Sequence, residues 1–561
     1  MHKNNQKRYV FVLWLMLIGF FNPIHASSPS AVVAAHPLAI SAGNAILDQG
    51  GNAFDAAIAI SAVLAVVEPY ASGLGGGGFW LLHHAETGSN VMIDGREMAP
   101  SNATKDMYLG DNGQPIPGQS LNGPLAAGIP GTPAALAHLS QFGRLTLMDN
   151  LQPAIELARN GFKLDRRFIQ TLQNHQEKLS KYPETKAIFL PNNRLPVEGE
   201  LFRQPQLAVT LSAIAQSGFN GFYQGPVARE LVRSVQSAGG IWRTQDLENY
   251  RVIERKPVQF NYRNAQITTA TLPSAGGLTL AQSLNILDSV FRREQNAIQR
   301  SHLIIEALRL SYRDRALLLG DSDFVSVPSE RLFSKAYAAQ QAAQIDSDRA
   351  GVSQSIQSNS KLPVNDEGTE TTHFAVMDKA GNRVAATLTI NTFFGSGFVA
   401  GNTGVLLNNE MDDFSISEHV PNVFGLYGSR ANAIEPGKRP LSSMSPTFVE
   451  HEQGVLIAGT PGGSRIISML LLVILDFVDN QETNPQKLVA LPRFHHQYLP
   501  DFVQIEPDSF EPQWIRDLES KGHDVQPMLR RWGNMQLIYY DKASKKATAA
   551  SDPRGMMDTR Y

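Results

Sequence analysis

The sequence predicts an α+β protein, on three observations. A turn joins two strand-like stretches between Thr371 and Asn391, residues 124–345 are patterned mostly as helix, and near the amino terminus a small-residue helix is followed by a glycine run and a strand.

Taken in order, residues 1–26 resemble an export signal. Lys3, Lys7 and Arg8 precede an apolar core, Tyr9 to Phe21, and Ile24-His25-Ala26 offers a small residue before a cut. That core is too short to span a bilayer comfortably, so no stable membrane anchor is expected and the mature chain should be periplasmic, with secretion as second choice. The chain has no cysteine, which excludes a disulfide and a lipid-modified amino-terminal cysteine. Losing the signal takes the formal charge from −3 to −6 with no basic block, which argues against nucleic acid as a partner. With 42% hydrophobic residues, the 561-residue chain can bury a large core.

Residues 34–67 read as helix, most strongly Ala53 to Val67, where almost every residue is small or apolar, as in a helix buried on most sides. Gly73 to Gly78 formally satisfies G-x-G-x-x-G, but a helix precedes it and the strand Phe79-Trp80-Leu81-Leu82 follows. That is the wrong order for a dinucleotide site, and tight core packing is the better reading. Pro130-Gly131-Thr132-Pro133 opens a helix, Leu147 to Arg159 and Ser301 to Leu319 are helical, and Leu272 to Gly277 ends a strand and starts a helix. Residues 348–370 are rich in Ser, Gln, Asn, Asp and Glu and are expected to form an exposed, adaptable loop.

From Thr372 onward, residues alternate as in a half-buried strand, and Asp378 to Asn382 supplies turn chemistry. A loop centred on Ala380 puts Thr371 opposite Thr389, with Asn391 further along the same face. On pattern alone, this is also what an amphipathic hairpin with threonines on its wet face would look like. His83-His84 and His495-His496 fit no zinc spacing, and the acid-rich Asn408 to Asp413 run lacks the spacing and glycine of a calcium loop, so no metal is expected.

Four blocks carry a resemblance: Thr371-Thr372-His373-Phe374, Leu406 to Phe414, Arg439 to Pro446, and Pro461-Gly462-Gly463-Ser464-Arg465. Together they resemble the γ-glutamyltranspeptidase family, and the likeness extends over essentially the whole mature chain. It implies a four-layer αββα sandwich of the N-terminal-nucleophile hydrolase type, built from both halves of a self-cleaved precursor. The signal would be residues 1–26, the large subunit 27–370 and the small catalytic subunit 371–561, the two forming one compact heterodimer. No cofactor is implied.

The resemblance also implies roles. Cleavage between Glu370 and Thr371 would free an α-amine, which titrates near pH 8 (about 7.7 to 8.0) and acts as base for the Thr371 hydroxyl. Thr371 would then take the γ-glutamyl group from glutathione or another γ-glutamyl compound, and water or the amine of an amino acid or dipeptide would resolve the ester. Thr389 and Asn391 match positions supporting the nucleophile, and the amides of Gly462 and Gly463 match an oxyanion site. Glu410 and Asp413 suit the donor ammonium; Arg96, with Ser442 and Ser443, suits its α-carboxylate. Val420 to Gly425 resembles a lid on which an aromatic with a hydroxyl often stands; here it is Phe424, which cannot form such a latch to Asn391, so looser closure is expected. The alternatives are a relative that removes glutaryl groups from β-lactam nuclei, one that cuts poly-γ-glutamate, and an unprocessed periplasmic binding protein.

Overall fold

In the computed structural model, residues 30–353, 370–417 and 420–555 are described. The export signal and most of the polar run before Thr371 lie outside them. In chain order, the strands that organise the molecule are β1 (Ala31–Ala34), β2 (Gly77–His84), β3 (Ser89–Gly95), β4 (Ile253–Arg255), β5 (Val258–Tyr262), β6 (Ala265–Thr269), β7 (Thr372–Met377), β8 (Arg383–Thr389), β9 (Thr447–Glu450), β10 (Gly454–Gly459), β11 (Gln536–Asp541) and β12 (Lys546–Ser551). They pair antiparallel into two six-stranded sheets, ordered β1-β7-β8-β2-β3-β4 and β12-β11-β10-β9-β6-β5.

The strand period of two sorts side chains between layers. Phe374 and Val376 of β7 and Val384, Ala386 and Leu388 of β8 face one helical layer, which contains α1 (Pro37–Asp48) and α2 (Ala53–Val67). Ala375, Met377 and Ala385 point the other way and meet Phe448, Leu456 and Ile538 of the second sheet. That sheet packs in turn on α3 (Gly276–Val290), α4 (Ala297–Leu318) and α5 (Ile466–Asp479), giving helix, sheet, sheet, helix. Every residue of β7 and β8 is therefore buried. This corrects the half-buried expectation and removes the wet-face reading of the threonines: cover comes from both sides, and half of it comes from distant segments.

The predicted helix over 34–67 is two helices and a strand. Gly50, with φ 92°, breaks it, and Asn52 caps α2 by accepting from the amides of Phe54 (2.9 Å) and Asp55 (3.0 Å) while Asp55 accepts from the Asn52 amide (2.9 Å). All of α2 is buried, as its composition requires. The glycine run serves packing: a Cβ on Gly75 would stand 2.0 Å from the Leu406 carbonyl oxygen, and one on Gly76 2.0 Å from that of Thr389. Between the sheets, the His373 ring lies where a Cβ on Gly459 would come within 2.2 Å of it. That ring hydrogen-bonds Thr387 Oγ1 at 2.8 Å, and burial lowers its pKa to about 3, so it is a neutral spacer between layers. Among the described residues, no helix is long and apolar enough to cross a membrane.

Candidate active site

The β7–β8 ladder closes with Thr372 opposite Leu388, and one step further the Thr371 and Thr389 hydroxyl oxygens lie 3.2 Å apart. Thr389 Oγ1 also accepts from the Asn391 amide at 2.8 Å, and with one proton and a second lone pair it can either donate to Thr371 or accept from it. Asn391 turns the chain with φ 76°, a region asparagine tolerates better than most residues, and its side-chain amide donates to the Asn409 carbonyl at 3.0 Å. Thr372 donates to Glu68 Oε2 at 3.0 Å, fixing the strand end beside the nucleophile candidate. Glu370 and Thr371 are buried, at 1% and 7% exposure.

From the second sheet, β10 leads into a turn at Gly462 (φ 139°) and Gly463 (φ 55°), and α5 follows. Backbone of that shape needs glycine, and a Cβ on Gly463 would also stand 2.6 Å from the Phe424 ring. Gly463 lines a cleft together with Thr371, Thr389, Asn391 and Phe424; Gly462 lies one residue behind the lining.

The far end of the same cleft is charged. Arg96, at the end of β3 and with no exposure, donates to Glu410 and Asp413, to the Pro440 carbonyl at 3.2 Å, and approaches Glu97 at 3.5 Å. Sequence reasoning assigned Arg96 and the two carboxylates to opposite ends of one ligand; the structure closes them on each other. Burial alone would depress the guanidinium, but Glu410, Asp413 and Glu97 outweigh it and hold Arg96 firmly charged. Burial raises all three carboxyls against the pull of Arg96, Glu97 to about 7, and it raises neighbouring Asp412 to about 6. One guanidinium thus answers three carboxylates. An incoming ammonium would favour the ionised forms of these carboxyls.

Ser442 and Ser443 line the cleft, Ser442 Oγ accepting from the Met444 amide at 3.1 Å and Ser443 Oγ from Arg315 at 3.1 Å. The Asn-Asn-Glu-Met-Asp-Asp run is not a solvated loop. Asn408 bonds Gly75, Gly128 and the Glu410 amide, and Asn409 bonds Leu121 and Thr392, which carries Glu410 into the interior. The loop bearing Phe424 is fastened through its backbone: the Val423 amide donates to Asp412 Oδ2 (2.9 Å), and Gln497 donates to the Phe424 carbonyl (3.2 Å). Asn422 adds a bond to Asp413 Oδ1 at 3.2 Å. None of these bonds involves the Phe424 ring.

Sequence reasoning missed Arg315, Glu68, Asn408, Asn409 and Gln497. For Arg315 a signal existed: on α4, Leu308, Ser311, Tyr312 and Arg315 follow the spacing of one helix face, and all four are buried. Elsewhere His302, Glu306 and His523 cluster, but both ring nitrogens of His302 are engaged, with His523 at 2.7 Å and the Asp346 carbonyl at 2.7 Å.

Residues 39–559 match the sequence model of a family described as gamma-glutamyltranspeptidase. The glutathione hydrolase proenzyme of Escherichia coli K12 is 41% identical over 543 residues, covering 96% of this chain and 92% of that protein. The protein of the same name from Bacillus subtilis 168 is 37% identical over 538 residues, covering 93% and 89%. Among solved structures, cephalosporin acylase from Bacillus halodurans superposes with a TM-score of 0.82 at 27% identity, covering 94% of each chain. Helicobacter pylori gamma-glutamyltranspeptidase gives 0.55 at 38% identity, covering 60% of this chain and 98% of that one.

Proposed function

The chain belongs to the γ-glutamyltranspeptidase family, and from that premise we propose that it is a self-processing γ-glutamyltransferase and glutathione hydrolase with Thr371 as nucleophile. The observation that carries this reading is one cleft with paired threonine hydroxyls, 3.2 Å apart, at one end and a buried Arg96–Glu410–Asp413 cluster at the other.

Processing comes first. Thr371 Oγ1 attacks the Glu370 carbonyl carbon, the peptide C–N bond breaks to release the Thr371 α-amine, and water hydrolyses the ester to free the hydroxyl and a Glu370 carboxylate. The burial of both residues supports an intramolecular cut, since an external protease needs an accessible, extended segment. In turnover, the α-amine takes the Thr371 hydroxyl proton as the oxygen attacks the γ-carbonyl. Thr389 steadies the nucleophile, and the Gly462 and Gly463 amides receive the developing oxyanion. The leaving amine departs with that proton, and water or an acceptor amine then resolves the γ-glutamyl ester. Glu410 and Asp413 hold the donor's ammonium. The periplasmic location rests on residues 1–26 alone.

Glutaryl transfer is the second reading, favoured by the superposition on the acylase. A glutaryl group carries no ammonium to answer the carboxylate excess, so a γ-glutamyl donor is the better fit. Intact mass and amino-terminal sequencing of the purified protein and of Thr371→Ala test the mechanism. Two chains are expected for wild type, the smaller beginning Thr-Thr-His-Phe, and one for the variant; a folded wild type that stays whole would defeat the reading.

A further inference from the structure

The turn that begins at Asn391 has a backbone that must be held in place. Asn391 (φ 76°), Phe394 (φ 58°), Gly395 (φ 49°) and Gly397 (φ 69°) all lie in the left-handed region, and Phe394 is bulky and fully buried. Such a conformation persists only where the surroundings over-determine it. Here they come from segments before Thr371. Thr185, in the helix Pro183–Phe189, donates to the Gly397 carbonyl at 3.0 Å and accepts from the Val399 amide at 2.9 Å. The Phe189 ring stands edge-on to Phe394, with centroids 5.3 Å apart. From the short helix Gln176–Leu179, Lys178 reaches into the turn itself. Its ammonium donates to Thr392 Oγ1 at 3.2 Å, to the Phe393 carbonyl at 3.1 Å and to the Gly395 carbonyl. Its stem lies so close to Gly397 that a Cβ there would stand 2.7 Å from Lys178 Cγ. An ammonium has three protons, and this turn offers an acceptor for each.

What Lys178 grips leads to the site by short steps. Thr392 Oγ1 also accepts from Asn409 Nδ2 at 2.8 Å, and the Thr392 amide donates to Asn409 Oδ1 at 3.1 Å, so the Asn409 side chain is fixed at both ends on Thr392. The Asn409 carbonyl accepts from the Asn391 side chain, and the Asn391 amide donates to Thr389 Oγ1, 3.2 Å from Thr371 Oγ1. Resting on the reading of Thr371 as nucleophile, we propose that Lys178 is a positioning residue of the reaction: its charge holds the turn 391–397 and so sets Thr389 and Asn391 against Thr371. Hydrogen bonds from a charged donor are about twice as strong as neutral ones, which makes the ammonium the operative group. After a cut at Thr371, this grip would join the two chains without a covalent link. Glu410, next to Asn409, is held separately by Arg96, so the effect belongs to the rate and not to donor binding.

The test is steady-state hydrolysis of a γ-glutamyl anilide by wild type, by Lys178→Met, which keeps the stem and loses the donors, and by Lys178→Arg, which keeps the charge. Each is first shown by intact mass to have cut itself, and rates are normalised to the amount of small chain. In Lys178→Met, kcat is expected to fall about tenfold with KM within about twofold of wild type. Lys178→Arg should recover most of that loss. A lowered melting temperature with kcat at the wild-type level would make Lys178 merely structural and overturn this inference alone. A change confined to KM, or an arginine variant no better than the methionine one, would overturn it too. Should Lys178→Met fail to cut itself, Lys178→Gln, which keeps part of the donor set, is read by the same split. A wild type that stays whole would instead defeat the nucleophile reading on which the role of Lys178 rests.

Discussion

The two ends of the cleft are built on different physics. At the threonine end, the contacts around Thr371, Thr389 and Asn391 are hydrogen bonds among hydroxyls and backbone amides, set by the register of one hairpin. The other end gathers Arg96, Glu97, Arg315, Glu410 and Asp413, ionisable groups from widely separated segments, all of them buried or nearly so. The neutral end depends on local geometry and should respond in rate. The charged end depends on balance and should respond in stability, recognition and pH.

The sharpest way to break this comparison is Arg96→Met. It leaves three buried carboxylates facing one another, and a loss of about 3–5 kcal/mol is expected, measurable as a lowered urea midpoint in the uncut Thr371→Ala background. An unchanged midpoint would mean that the charged end contributes only to recognition. Glu410→Gln comes next. It removes one charge from a crowded site, so stability should move by less than about 1 kcal/mol while kcat/KM for a γ-glutamyl anilide falls about 100-fold and that for a glutaryl anilide holds. Equal losses on the two donors would deny Glu410 its ammonium.

Thr389→Val probes the neutral end, where kcat should drop about tenfold with KM nearly constant; a change confined to KM would put Thr389 in recognition instead. The smallest effect is in pH. Burial holds Glu97 near 7 and Asp412 near 6 and raises Glu410 and Asp413 as well. A carboxyl is neutral below its pKa, and the ammonium favours the ionised form. KM for the donor should therefore fall several-fold as pH rises through about 6 to 7 and level off above. A KM that is flat across that window, from full progress curves in one buffer series, would detach these groups from donor binding.

Much of the neutral end was legible in the sequence. Alternation and a turn around Ala380 were enough to bring Thr371 to Thr389, because strand register is a local property. Burial of the hairpin was not, since Thr387 and Thr389 look the same whether the second face meets water or another sheet. At the charged end the side chains could be named, but not their pairing. That Arg96 closes on Glu410 and Asp413, and that Arg315 comes up beside them on Ser443, depends on where β3, α4 and the segment after Leu407 meet. At Phe424 the absence of a hydroxyl was legible, while the bond that Gln497 makes to the Phe424 carbonyl comes from far along the chain.

The strand order of the first sheet has one more consequence. β7 and β8, which would belong to the small chain after a cut at Thr371, lie between β1 and β2 of the large one, and in the second sheet β9 likewise pairs with β6. There is no seam along which two finished halves could have been brought together or later exchanged. On the proposed cut at Thr371, the chain would have to be woven whole before it is severed, so a free threonine there would also certify that this copy has already folded.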